Sequence, residues 1–196
     1  MEPDDSRTIQ SSVDWENLVC QPSSTPSHEV SPLDLYRKML FDLHRQKSSQ
    51  PFSNESEPHA AIVYEVFLSI ANNYVKIFCE RLKCSVFGQE HVVRALNEAL
   101  ARGVHVEVVT ERSPDQSAFL EALTSAQKAN LSIVQTLGQP RATDFNFCVV
   151  DDEAYRWEHD NKEAHAVGTM YRPAVARELS RYFEEKLVRR NEVPAA

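Results

Sequence analysis

The spacing of apolar residues changes several times along the chain, and each change marks an element. Leu33, Tyr36, Met39, Leu40 and Leu43 recur at helical spacing. Ser31 stands before them as an N-cap and Pro32 suits the first helical position, so a helix is predicted to start there. The stretch from Gln46 to Pro58 is polar, is broken by Pro51, and reads as a linker. Ile62, Val63, Val66, Phe67 and Ile70 form the stripe of a second helix running from Pro58 to about Asn73. The period then falls from about 3.6 to about 2, and Tyr74 to Cys79 reads as a strand. After a short loop ending at Gly88, a helix from Gln89 to Arg102 presents Val92, Val93, Leu96, Ala99 and Leu100, with Gly103 as its stop. Val104 to Val109 alternates as a strand. Ser113-Pro114-Asp115-Gln116 is a capping box that opens a helix reaching about Asn130.

The second half of the chain is richer in strands. Leu131 to Val134, Phe145 to Val150, Ala154 to Glu158 and His165 to Thr169 read as strands, with Asp151-Asp152 turning the middle two into a hairpin. A last helix is predicted from Pro173 to Arg190, with Val175, Leu179, Phe183 and Leu187 inward. This order describes an α/β protein, a mixed β-sheet sandwiched by helices, parallel in its first half and hairpin-rich in its second. Residues 1–31 hold few apolar side chains and read as a disordered tail. Residues 32–57 read as an N-terminal helix and linker, 58–190 as the α/β domain, and 191–196 as a C-terminal tail.

Charge narrows the function classes. The net charge is -8, and residues 1–58 carry ten acids against five bases. The α/β part is therefore only mildly acidic, and binding to nucleic acid by overall charge is not favoured. Four glycines leave no glycine-rich phosphate cradle. Cys20, Cys79, Cys84 and Cys148 are too irregularly spaced for a disulfide scaffold or a zinc site. No apolar run reaches the ~20 residues of a membrane helix, and the acidic N-terminus does not read as a secretory signal. A cytoplasmic protein without a cofactor is expected.

Three strings, taken in order, carry a resemblance. They are Ile70-Ala71-Asn72-Asn73-Tyr74-Val75-Lys76-Ile77-Phe78, Val92-Val93-Arg94-Ala95-Leu96, and Ala101-Arg102-Gly103-Val104-His105-Val106-Glu107-Val108. With the later hairpin and the Phe183-Glu184 of the last helix, the chain resembles one half of a phospholipase D-like domain over roughly residues 58 to 190. The resemblance implies that fold and a His-x-Lys-x4-Asp motif, in which the His attacks phosphorus and the Lys stabilises the transferring oxygens. The matching positions here are Asp144, Asn146 and Asp151, so only the last keeps the family residue. Asp would repel a phosphodiester and Asn supplies no positive charge. The resemblance thus implies a degenerate half-domain, a pseudoenzyme of a phosphodiesterase family. Family members work as paired half-sites, which implies a homodimer or pairing with another protein. They also occur in bacterial nucleic-acid processing and phage defence.

The expected function is a protein-binding or regulatory subunit, with Trp15 in the tail and Tyr36, Met39 and Leu43 on the first helix as exposed partner residues. Two other readings stay open. A metal-dependent phosphodiesterase or nuclease would use Asp144, Asp151, Asp152 and a nearby His, with His159, Glu163 and His165 as candidate ligands. A nucleic-acid binder would use Arg177, Arg181 and Arg189 of the last helix.

Overall fold

The computed structural model describes residues 30–112, 129–136, 145–160 and 165–188. Residues 113–128 of the helix expected from Ser113, and Trp15 in the tail, lie outside them. From Ser31 onward the described residues form one compact unit.

Local signals place the helices closely. Helix α1 spans Pro32–Arg45, and the Ser31 Oγ accepts the Leu33 N–H at 3.3 Å. Helix α2, Glu57–Ile70, starts at the Ser56 cap and is buried without a break from Ala60 to Leu68. That run explains its dense apolar sequence: α1 and α4 flank it and the sheet lies beneath. A four-residue helix α3, Cys84–Phe87, replaces the loop expected before Gly88. Helix α4 spans Glu90–Ala101, and Gly103 beyond it adopts φ +86°, which a glycine reaches at no steric cost. Helix α5, Pro173–Tyr182, continues through Phe183–Val188 as a π-helical turn, where a plain α-helix was expected. Phe183 and Leu187 of that turn are buried.

Seven strands form one sheet. They are β1 (Pro51–Asn54), β2 (Tyr74–Cys79), β3 (His105–Thr110), β4 (Leu131–Gln135), β5 (Asn146–Val150), β6 (Ala154–Asp160) and β7 (His165–Thr169), in the order β1-β7-β6-β5-β2-β3-β4. β2, β3 and β4 run parallel, whereas β5 is antiparallel to β2 and opens the antiparallel run through β6 and β7 to β1. β5 is the central strand, and all five of its residues are buried. One face of the sheet packs against α1, α2 and α4, and the other against α5 and the π-helical turn.

Strand β1 corrects the linker reading of Gln46 to Pro58. It is an edge strand with only Phe52 and Asn54 turned inward, too short for an alternation signal to register. Pro51 starts it, at a position where a missing N–H is tolerated. Gly168 on β7 makes room for it: a Cβ there would stand 2.5 Å from the Phe52 ring and 2.4 Å from the Tyr155 carbonyl oxygen.

Candidate functional site

Strand β5 starts at Asn146, the second of the three motif positions, level with the C-terminal end of β2 in the middle of the sheet. Its register sets Asn146 opposite Glu158 and Cys148 opposite Arg156, all on the face beneath α2. Side chains two apart on a strand share a face, so Arg156 and Glu158 of β6 point the same way. Together with Tyr64 and Asn54 they form a buried polar network. The Arg156 guanidinium is 1% exposed. Its Nε donates to the Asn54 Oδ1 at 2.9 Å and its Nη1 to the Glu158 Oε2 at 3.0 Å, while its plane lies over the Tyr64 ring at 5.4 Å. Burial pulls this guanidinium down, but Tyr64 and Glu158 outweigh it and hold it above its usual range. Burial drives Tyr64 well up. Arg156 therefore stays charged.

Asn146 is tied into this network. Its Oδ1 accepts the Glu80 N–H at 3.1 Å and its amide nitrogen donates to the Glu158 Oε2 at 3.4 Å. A recess of about 40 Å³ opens above it, lined in part by Tyr64, Lys83, Asn146, Arg156 and Glu158. That is room for water, not for a nucleotide. The Lys83 Nζ at the rim stands 3.3 Å from Glu57, whose carboxyl is held below its usual range by Ser85 and then Lys83. Cys79 also lines the recess, and burial pushes the thiols of Cys79 and Cys148 far above their ordinary value. Both act as small apolar side chains.

Asp151 sits at the opposite end of β5 and does different work. Its carboxylate accepts three consecutive backbone N–H groups: Asn72 at 2.7 Å, Asn73 at 2.9 Å and Tyr74 at 2.8 Å. Asp151 and Asp152 hold φ +48° and +54°, and the Glu153 N–H closes the turn on the Val150 carbonyl at 2.9 Å. The same α2–β2 corner is held from the carbonyl side. The Arg102 Nη2 donates to the carbonyls of Leu68, Ser69 and Ala71 at 2.7, 3.2 and 3.2 Å.

On the far face of the sheet, the buried Lys76 ammonium meets the Ser180 Oγ at 2.9 Å and the Glu184 Oε1 at 2.8 Å, over the Tyr74 ring. Glu107, next to Lys76 in register, is raised first by burial and then by Glu184. This cluster anchors the π-helical turn to the sheet.

The other expected residues scatter. Asp144, Glu163, Arg189 and Trp15 lie outside the described residues, as does the side chain of His159. His165 opens β7 and is half-buried. Among the described residues, no three His, Cys, Asp or Glu side chains converge to hold a metal ion. Arg177 and Arg181 are exposed on α5, interspersed with exposed Glu178 and Glu185. On α1, Met39 is 39% exposed, whereas Leu43 is buried at 8%, which corrects its expected exposure. Leu43 falls on the stripe that packs against the core. Tyr36 is half-buried, and its hydroxyl donates to the Ser53 carbonyl at 2.8 Å. The sequence analysis assigned Arg156 no role and did not pair it with Glu158. Their signal was the alternation of β6, with Tyr155 and Trp157 on one face and two opposite charges on the other.

No family model matches the chain, and no curated protein matches it in sequence. Solved structures match it in fold. Nuc, a phospholipase D family member from Salmonella typhimurium, is 15% identical with a TM-score of 0.49, over 70% of this chain and 94% of that one. NucT from Helicobacter pylori is 12% identical with a TM-score of 0.46, over 70% and 93%. A polyphosphate kinase from Porphyromonas gingivalis is 10% identical with a TM-score of 0.51, over 76% of this chain and 27% of that one. The likeness at these identities is one of fold alone, an α/β fold shared with part of the polyphosphate kinase.

Proposed function

We propose that this chain is a non-catalytic phospholipase D-like domain that works as a protein-binding or regulatory subunit. The observation that carries this reading is the employment of the two described motif positions. Asn146 is locked between the Glu80 N–H and Glu158, and the Asp151 carboxylate is filled by three backbone N–H groups. Asn146 is neither a nucleophile nor a cation, and the Asp151 carboxylate is already engaged by the backbone. The nearest buried positive charge, Arg156, is matched by Glu158. Phosphoryl chemistry of the phosphohistidine type needs a nucleophile and an unspent cation beside the phosphorus.

The test is a paired experiment on the full chain. The purified protein is incubated with bis(p-nitrophenyl) phosphate and with single- and double-stranded DNA, with and without magnesium, manganese or zinc. No turnover above the buffer blank is expected. Metal-dependent turnover that disappears in Asp151→Asn would overturn the reading in favour of a metal-dependent phosphodiesterase. In parallel, the tagged chain is captured from its native cells after nuclease treatment. A stoichiometric protein partner, or a second copy of the chain, is the expected result, and recovery of nucleic acid alone without nuclease would count against it.

A further inference from the structure

We draw no further inference here: the strongest candidate, the apolar strip of Trp157 and Val167 on the sheet face beside α5, carries nothing because no feature of the structure shows what covers it.

Discussion

Asp151 shows how much of the fold can hang on one carboxylate. Three N–H groups that leave α2 and enter β2 find no partner in either element, and Asp151 accepts all of them from 77 to 79 residues away. Hydrogen bonds to a charged group are each worth about 1.5–3 kcal/mol net. Asp151→Ala is expected to lower stability by about 2–4 kcal/mol, read as a fall in urea midpoint at unchanged slope. An Ala variant as stable as the parent would show that water replaces the carboxylate at no cost. Arg156 and Glu158 pose the complementary case, a buried ion pair. Removing one partner strands the other, so Glu158→Ala is expected to cost about 3–5 kcal/mol. Replacing both with apolar residues should recover much of that loss, and a double-mutant cycle in urea measures the difference. His91 gives the pH dependence. Its Nε2 is buried and has no hydrogen-bond partner among the described residues, and it stands 4.0 Å from Glu65, which Arg37 already holds at 2.9 Å. Burial lowers its folded-state pKa below the ordinary 6.5. The unfolded chain therefore binds the proton more readily, and stability present above about pH 6.5 is lost as the pH falls below it. Urea midpoints at pH 7.5 and 5.5 should converge in His91→Gln relative to the parent. An equal acid loss in both proteins would place the effect elsewhere.

Elements were legible where local signals were complete. α1 and α2 carried a Ser cap followed by Pro and an unbroken stripe, and α4 carried a stripe with a glycine stop. The elements that escaped lacked one of these. β1 has two inward residues, α3 is a single turn, and the π-helical turn is fixed by tertiary contacts of Phe183, Glu184 and Leu187 that no local pattern encodes. The surroundings of the motif positions were less legible. The resemblance pointed to Asn146 and Asp151, but their neighbours across the sheet depend on register, which a single sequence does not fix. β1 offers a direct test. Gly168→Ala would push a methyl into the Phe52 ring and the Tyr155 carbonyl oxygen. Overpacking of this kind costs about 1–3 kcal/mol, and the rigid side of the contact is the β6 backbone, so β1 should give way. Hydrogen exchange is expected to quicken at Phe52, Ser53 and Asn54 while β2 and β5 stay protected. Uniform loss of protection across the sheet would mean that β1 is not a separable edge.

At the scale of the whole molecule, the residues that carried the family resemblance converge on architecture. Asn72 and Asn73, Arg102 and Gly103, and Asp151 stand far apart in sequence, yet they meet at the α2–β2 corner or close the helix beside it. These residues therefore serve the α2–β2 corner, at the other end of the central strand from Asn146. Asn146→Lys tests the proposed non-catalytic role, because it supplies, at the matching position, the cation of the motif that the chain resembles. In an open catalytic recess, such a lysine would be tolerated. Here it would cancel the bond from the Glu80 N–H and set a second cation against Arg156, with Glu158 already engaged. An unmatched buried charge costs several kcal/mol, and the lost hydrogen bond adds to it. Asn146→Lys is therefore expected to lose about 2–4 kcal/mol in urea unfolding and to gain no phosphodiesterase turnover, whereas the nearly isosteric Asn146→Asp should suffer through repulsion from Glu158 instead. A lysine variant of undiminished stability would show that the recess still has room for the missing cation. Turnover in that variant would make the protein a catalyst lacking one group, and the binding role would fall with it.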